Sequence, residues 1–148
     1  MSPITSHIEI ARPAEDVFAY ATDPSRFSEW QDDVVSAHLE AGQTPGVGSR
    51  FTTIRRIGRS QRAMTQEITE SRPPTNWAAH GVDGPVRPSV DLTVEPLAGN
   101  TRSRITVVMD FEGHGIGKLL VPLLVRRQAA KRAPQSYQHL KEQLERQA

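Results

Sequence analysis

The order of the sequence patterns limits the folds open to this chain. A short segment of alternating apolar residues comes first, two compact helical patterns follow, and strand-like segments separated by turns fill the middle. A single helical pattern then runs from Gly113 to the C-terminus. Because an antiparallel sheet has one large apolar face to cover, we expect this last helix to pack across it. If the sheet is strongly curved, a pocket remains between sheet and helix.

The N-terminal segment predicts one strand and two short helices. Residues 4–10 alternate in polarity with period two, which predicts the first strand. Pro13 presets φ for a helix start, and an apolar stripe follows it. Asp23-Pro24 repeats this start signature and predicts a second short helix. That helix places Phe27 and Trp30 three residues apart on one face.

The middle of the chain predicts six more strands. They are Val34–Leu39, Arg50–Ile57, Gln61–Glu70, Asn76–Val82, Ser89–Leu97 and Arg102–Phe111. The separators, of which Gly42–Gly48 is one, carry Gly, Pro, Asn or Ser, and short connections favour antiparallel neighbours. A seven-stranded meander that includes the first strand is the economical topology. One face should be dry, and its residues are Met64, Ile68, Val90, Leu92, Val94, Ile105, Val107, Met109 and Phe111.

The closing helix carries apolar residues at spacings of three and four, and two prolines interrupt it. Pro122 and Pro134 each remove a backbone hydrogen bond or kink the helix. We therefore expect a helix that is bent, or broken near Pro134.

Composition excludes several classes of site and partner. The chain has 148 residues, enough for one domain spanning 1–148. It has no cysteine, which excludes disulfides, thiolate nucleophiles and cysteine-based metal sites. With 18 basic and 17 acidic residues the net charge is +1, so no global field favours DNA, RNA or anionic lipid as the main partner, and no nucleic-acid partner is expected.

The location of the protein is predicted from its apolar runs. Met1–Ile10 alternates in polarity and lacks the continuous apolar stretch of a secretory signal, so we expect a cytoplasmic protein. The longest apolar run, Leu119–Val125, is far shorter than the roughly 20 residues that span a bilayer. Stable membrane insertion is therefore not expected.

Several segments, taken in order, resemble the START-like (SRPBCC) superfamily. They are residues 8–20, Asp23-Pro24 with Trp30, Gly46–Arg50, and Glu67–Glu70 ahead of Pro73-Pro74. More closely, the chain is similar to the polyketide cyclase/dehydrase-type branch, and the likeness covers nearly its whole length. The resemblance implies an α+β helix-grip fold, in which a curved antiparallel sheet wraps the C-terminal helix around a mostly apolar cavity.

The resemblance also implies a range of functions. Relatives bind lipids, sterols, quinones, plant hormones or polyketides; some catalyse cyclisation or dehydration, and others act on chaperones or ribosomes. The motifs shared here build the scaffold and carry no catalytic group. No catalytic residue is therefore transferred to this chain.

The expected cavity lining consists of aromatic, methionine and leucine side chains from the strands and helices. These residues are Phe27, Trp30, Phe51, Met64, Trp77, Leu92, Met109, Phe111, Leu120 and Leu124. Such side chains offer broad, adaptable contact to an apolar ligand. A cavity of this kind has a volume on the order of 300 to 1,000 Å³. Periodicity alone does not separate a lined cavity from a filled core.

The five histidines are the remaining candidates for a metal site or a general base. They are His7, His38, His80, His114 and His139. None is spaced as a helical zinc pair, so no metal and no cofactor are predicted. If His80, on the strand of Trp77, faces inward, it could orient a ligand carbonyl or act as a base, and we include it in the expected site.

The glycines of Gly113–Lys118 resemble a phosphate-binding loop but fail its pattern. Glu112 stands where the first glycine belongs, and Leu119 stands at the Ser/Thr position. The better interpretation is that these glycines let the backbones of strand and helix approach closely at the corner between them. They could also form one lip of the pocket mouth.

Two basic clusters have ordinary interpretations. Arg126, Arg127, Lys131 and Arg132 follow the apolar run 119–125. The run is expected to grip the sheet while the cations lie in solvent, and a helix lying on an anionic membrane is the less favoured alternative. Arg55, Arg56, Arg59 and Arg62 flank the Gly58 turn and are typical of a solvated hairpin that could attract an acidic ligand or partner.

These patterns support three classes of function. The leading hypothesis is binding of a small hydrophobic molecule such as a lipid, isoprenoid or polyketide. The alternative is a cyclase/dehydratase-type enzyme using the same cavity, which converging polar side chains in the wall would favour. A protein-interaction module would require a collapsed pocket with an exposed apolar patch. Free sheet edges are compatible with a homodimer, which the sequence does not decide.

Overall fold

The computed structural model describes residues 3–42 and 44–147. Its strands are β1 (Ile4–Ile10), β2 (Val34–Leu39), β3 (Arg50–Ile57), β4 (Ser60–Arg72), β5 (Asn76–Asp83), β6 (Val86–Leu97) and β7 (Arg102–Gly113). Its helices are α1 (Ala14–Ala21), a 3₁₀ helix (Pro24–Glu29), α2 (Gly117–Leu120), a π-helical turn (Val121–Val125) and α3 (Arg126–Arg146). The α+β class and the predicted elements are confirmed. The parts of our predictions that fall on Met1, Ser2, Gln43 and Ala148 lie outside the described residues.

The strands form one antiparallel sheet in the order β1-β7-β6-β5-β4-β3-β2. The predicted meander is correct for β2 to β7 and wrong for β1. Strand β1 pairs with β7, from Ile4 opposite Met109 to Ile10 opposite Ser103. The reason is that α1 and the 3₁₀ helix, which lie between β1 and β2 in the chain, carry it from one edge of the sheet to the other.

The sheet is curled, and its bulges show why. The register shifts twice along β4, between Thr65 and Gln66 and between Ile68 and Glu70, and once in β2. An extra residue in one strand of a pair bends that strand and increases its twist. The sheet therefore curls into a half-barrel around α3. Its concave face is the predicted dry face, on which Met64, Ile68, Leu92, Val94, Ile105 and Val107 are buried.

The two short helices close one side of the half-barrel. Helix α1 begins after Pro13, and its first turn carries two carboxylates that complement the helix dipole. The Asp23 carboxylate accepts a hydrogen bond from the Ser25 N–H at 3.0 Å and caps the 3₁₀ helix. This helix directs Phe27 and Trp30 into the core, where both are buried.

The sequence predicted a helix that is bent or broken near Pro134, and the structure contradicts the second alternative, because the helix is continuous through Pro134. Pro134 lies inside α3, and Ala130, whose carbonyl loses its usual partner, is exposed so that water can replace the missing donor. The irregularity lies at Pro122 instead. There the Arg126 N–H reaches back five residues to the Val121 carbonyl, and the π-helical turn accommodates the proline.

Two apolar clusters hold the helix on the sheet. The larger one contains Leu140 and Leu144 of α3, which are completely or almost completely buried. The smaller one joins the π-helical turn to the sheet and consists of Ile57, Met64, Val86, Val121 and Val125, with Phe111, Leu120 and Leu124 packed against them. The helix is therefore anchored near both of its ends.

The corner between β7 and α2 is built on close backbone contact. A Cβ atom on Gly117 would overlap the Pro85 carbonyl, and one on Gly113 would overlap the Gly117 carbonyl. The predicted role of these glycines in close approach is consistent with this geometry. The corner does not line the cavity, so its predicted place at the pocket mouth is wrong. No helix among residues 3–42 and 44–147 is long and apolar enough to cross a membrane.

Candidate ligand-binding site

A cavity lies between the concave face of the sheet and the first half of α3. The space open to the centres of water molecules is about 90 Å³. Its lining residues are Ala21, Phe27, Trp30, Gln31, Asp33, Phe51, Arg55, Ile57, Met64, Gln66, Trp77, Pro88, Val90, Leu92, Val107, Met109, Phe111, Val125, Gln128, Ala129, Arg132, Ala133, Ser136 and Tyr137. Arg132 is exposed while it lines the cavity, so the cavity opens to solvent beside it.

Small side chains on α3 leave the space. The helix faces the cavity with residues 128–129, 132–133 and 136–137, at spacings of three and four. Among them, Ala129, Ala133 and Ser136 are too short to reach the sheet, whereas Leu140 and Leu144 farther along fill the interior. Because both ends of the helix are anchored by large side chains, its middle cannot collapse onto the sheet.

Aromatic side chains form the deep wall. Phe27 packs edge-on against Trp30 and Phe51, with ring centroids 6.1 and 5.8 Å apart. The wall continues from Phe51 to Trp77 at 5.9 Å and from Trp30 to Tyr137 at 5.8 Å. These centroid distances are typical of favourable aromatic pairs. The wall is therefore a continuous aromatic surface that presents ring faces and edges to the cavity.

Part of the cavity lining is polar. The Arg55 guanidinium donates hydrogen bonds to both carboxylate oxygens of Asp33, at 3.1 and 3.3 Å, and to the Gln31 side-chain oxygen at 2.8 Å. The side chains of Arg55 and Asp33 are only 15% and 18% exposed. A guanidinium carries five N–H groups, so donors remain beyond these three bonds. The arrangement holds a cation at the cavity wall in a fixed orientation.

Tyr137 brings a hydroxyl into the same cavity. It is buried, and its hydroxyl contacts the Met109 sulfur at 3.7 Å. Burial raises the pKa of Tyr137, the nearby Asp33 carboxylate adds to the increase, and the Arg55 cation opposes it. The phenol therefore keeps its proton at neutral pH and acts as a hydrogen-bond donor.

The structure places eight of the eleven predicted site residues in the cavity wall. They are Phe27, Trp30, Phe51, Met64, Trp77, Leu92, Met109 and Phe111. The other three lie elsewhere: His80 is exposed, paired across the sheet with Glu67 and Ser89, and Leu120 and Leu124 belong to the smaller apolar cluster. His80 therefore cannot act as the internal base we considered. Contact of the eight residues with a ligand remains a prediction.

The cavity is smaller than expected from the sequence. Its volume of about 90 Å³ lies below the range on the order of 300 to 1,000 Å³ that ligand pockets occupy. The aromatic wall is the physical reason, because four of its rings and Tyr137 pack against one another and fill much of the half-barrel. A ligand of substantial size must therefore extend through the opening beside Arg132 or move these rings.

Sequence reasoning missed the polar lining, although part of its signal was present. Arg55 has the same parity as Phe51 and Ile57 along β3, and Gln66 has the same parity as Met64 and Ile68 along β4. Residues two positions apart in a strand lie on the same face, so a polar residue between buried apolar ones at this spacing points inward. Arg55 is therefore not part of a solvated hairpin. Gln31 and Asp33 lie in a connection without periodicity, and no pattern indicates their orientation.

The described residues offer no group of three or more His, Cys, Asp or Glu side chains placed to hold a metal ion. Two of the histidines instead pair with carboxylates at the surface. His114 lies 2.8 Å from Glu112, and His139 lies 3.0 Å from Asp32. The polar chemistry of the cavity therefore rests on a guanidinium, a carboxylate, amides and hydroxyls.

Known proteins share this architecture at low sequence identity. A protein from Thermus thermophilus matches with a TM-score of 0.77 and 16% identity over 96% of both chains. The Zhui aromatase/cyclase from a Streptomyces species matches with a TM-score of 0.76 and 12% identity over 97% of this chain and 93% of that one. A START superfamily protein from Mycobacterium smegmatis matches at 0.72 and 17%, over 99% and 97%. Identities this low show a common fold.

The sequence itself identifies the family. No curated protein matches it. The family model described as polyketide cyclase / dehydrase and lipid transport matches residues 1–145. That match covers nearly the whole chain, and the curled sheet around a long C-terminal helix is the START-like helix-grip fold. This protein therefore belongs to the polyketide cyclase/dehydrase and lipid transport family.

Proposed function

We propose that this protein binds a small amphipathic molecule that has an apolar body and an oxygen-bearing end. The observation that carries the proposal is a cavity whose lining combines an aromatic wall with the Arg55–Asp33–Gln31 network. The eight predicted residues in the wall would contact the apolar body. Ring faces and methionine side chains supply dispersion contact with little demand on ligand shape.

The polar network is hard to explain as a stabilising feature. Taking two charges out of water costs free energy that their attraction recovers only in part, so a largely buried ion pair is weak evidence for stability. A guanidinium held by Asp33 and Gln31 is, however, well suited to donate hydrogen bonds to a carbonyl, carboxylate or hydroxyl oxygen. The Tyr137 hydroxyl would add a further donor in the same cavity.

Mass spectrometry of the protein purified from its own cells under native conditions tests the proposal. We expect a retained mass that yields, after extraction, one dominant compound with an apolar skeleton and at least one oxygen function. A protein that carries no compound, and that also fails to bind the uncharged apolar dye N-phenyl-1-naphthylamine, would contradict it.

A second candidate, a cyclase/dehydratase-type enzyme, is favoured by the convergence of polar groups in the wall. Asp33 offers a proton acceptor, Tyr137 a proton donor and Arg55 a cation that can stabilise a developing oxyanion. Incubation of ligand-free protein with a poly-β-ketone substrate discriminates between the candidates. A cyclised or dehydrated product that Tyr137→Phe suppresses would support the enzyme, and recovery of unchanged substrate would support binding.

Arg55→Met should weaken binding of the extracted oxygen-bearing compound by roughly tenfold or more, because a hydrogen bond to a charged group contributes about 1.5–3 kcal/mol. Binding of the apolar dye should not change. Arg56→Met is the matched control, since Arg56 is the exposed neighbour on the same strand. Arg55→Met leaves the Asp33 carboxylate without its cation. The double variant Asp33→Asn/Arg55→Met removes that charge and should show the same loss of affinity for the compound. Equal losses for dye and compound in calorimetric titrations would argue against a polar contact.

A further inference from the structure

We propose that this protein docks on the surface of an anionic lipid bilayer through an apolar face made of Ile116, Leu119 and Leu123. Five large apolar side chains are exposed among the described residues, and three of them lie within this short segment. They are 59%, 65% and 66% exposed. Large apolar side chains that cluster on a surface mark an interaction site.

The packing of the fold does not account for this apolar face. Its three residues are spaced by three and four positions, which places them on one side of the helical segment. The other side of the segment supplies Val121 and Val125, buried in the smaller cluster. The segment is thus apolar on both sides, and only one side is used to grip the sheet. The prediction that the whole run 119–125 grips the sheet is therefore wrong.

The neighbouring sequence is basic over long stretches. Between Glu112 and Glu142 the chain has no Asp or Glu, and it carries Lys118, Arg126, Arg127, Lys131, Arg132 and Lys141. Between Glu40 and Glu67 it again has no acidic residue, and it carries Arg50, Arg55, Arg56, Arg59 and Arg62. A protein with a net charge of +1 therefore concentrates cations in two segments.

The structure brings the cations of these two segments together beside the apolar face. The Gly58 N–H donates to the Gln128 side chain at 3.0 Å, and a Cβ on Gly58 would lie 3.2 Å from a Leu124 methyl carbon. The β3–β4 turn, with exposed Arg56 and Arg59, therefore lies against the helical segment that carries the apolar face. On the helix, Lys118 and Arg127 flank the face and are exposed.

Two cations are already paired and do not contribute to this surface. Arg126 forms an ion pair with Asp110, and the Phe111 N–H and the Arg126 cation lower the pKa of Asp110. Arg55 is held by Asp33. The acidic residues at this end of the sheet are Asp32, Asp33, Asp83, Asp110 and Glu112. Asp32 pairs with His139 and Glu112 pairs with His114. The exposed cations thus outnumber the exposed carboxylates here.

This combination fits the interface of an anionic bilayer. Aliphatic side chains enter the boundary between headgroups and acyl chains, and long cationic side chains reach the phosphate groups around them. The structure has no helix suited to cross the membrane among its described residues, and interfacial docking requires none. None of the three apolar residues lines the cavity, so docking can fail while ligand binding persists, and the reverse.

Flotation with lipid vesicles tests docking. Vesicles of phosphatidylcholine with about 30% phosphatidylglycerol, at about 0.1 M salt, should carry the protein, and pure phosphatidylcholine vesicles should not. The double variant Leu119→Gln/Leu123→Gln should lower the partition coefficient by roughly tenfold or more. Arg127→Glu/Lys131→Glu should lower it by about tenfold or more, since each cation near such a surface contributes a factor of about five.

Matched controls come from the opposite end of the sheet. Val47 is also 66% exposed, and Arg72 ends β4 away from the Gly58 turn, so Val47→Gln and Arg72→Glu should bind vesicles as the unmodified protein does. Circular dichroism melts should show that all variants are folded. Absence of vesicle binding, binding independent of lipid charge, or equal losses in the controls would overturn the proposal. A dimer in gel filtration that Leu119→Gln/Leu123→Gln dissociates would assign the face to a second copy of the chain and overturn it too.

Discussion

Replacing Ala133 by leucine is expected to abolish most ligand binding while it stabilises the fold. Ala133 is buried, lies on the side of α3 that faces the cavity, and has space in front of it. A branched side chain there would occupy the cavity of about 90 Å³. We expect the affinity for N-phenyl-1-naphthylamine to fall by about tenfold or more. We also expect filling the cavity to add about 1 kcal/mol to the free energy of unfolding.

The neighbouring residue supplies the control for this substitution. Ala130 lies on the same helix but is exposed and does not line the cavity, so Ala130→Leu adds the same atoms outside the cavity. It should leave the dye affinity unchanged. Dye titration and thermal melts of both variants measure the two effects together. Unchanged affinity in a folded Ala133→Leu variant would show that the ligand does not occupy this space.

Truncating Leu140 to alanine is expected to have the largest effect on stability. Leu140 is 0% exposed and belongs to the larger apolar cluster, which anchors α3 beyond the cavity. Loss of a buried leucine side chain leaves a void that a packed interior cannot close, at a cost of about 2–5 kcal/mol. For a protein of this size, each kcal/mol lowers the melting temperature by roughly 2–4 °C. We therefore expect a fall in melting temperature of about 10 °C.

An exposed leucine from the same helical segment tests whether burial causes the loss of stability in Leu140→Ala. Leu123 is 66% exposed, so Leu123→Ala should change the free energy of unfolding by less than about 0.5 kcal/mol. Urea denaturation of both variants, with their midpoints and slopes compared, checks the difference. Equal losses at the two positions would mean that burial of Leu140 in the larger apolar cluster is not the source of its effect on stability.

Local patterns predicted the elements of this fold well because local interactions determine them. The start signature at Asp23-Pro24 and the period-two alternation of β6 and β7 act over a few residues, and the structure follows both. The parity of residues along a strand also determines which side chains share a face. For that reason the apolar wall contains Phe51, Leu92 and Met109 as predicted.

The polar lining of the cavity comes from elements that meet only in the folded chain. Arg55 comes from a strand, Asp33 from a connection and Tyr137 from a helix about 80 residues farther along. The periodicity of each element shows which of its sides is buried, but it contains no information about the distance to the opposite element. The sequence therefore could not distinguish residues that line a cavity from residues that fill a core.

By itself, the sequence determined the strand and helix segments, the dry face of the sheet and the family resemblance, because these follow from short-range periodicity and turn chemistry. Only the tertiary structure decided that β1 pairs with β7, that Arg55 meets Asp33 and Tyr137 at one cavity, and that Leu119 and Leu123 stay exposed. Each outcome depends on contacts between elements that are distant in the sequence. The packing of both apolar clusters brings these elements together, and no single segment encodes it.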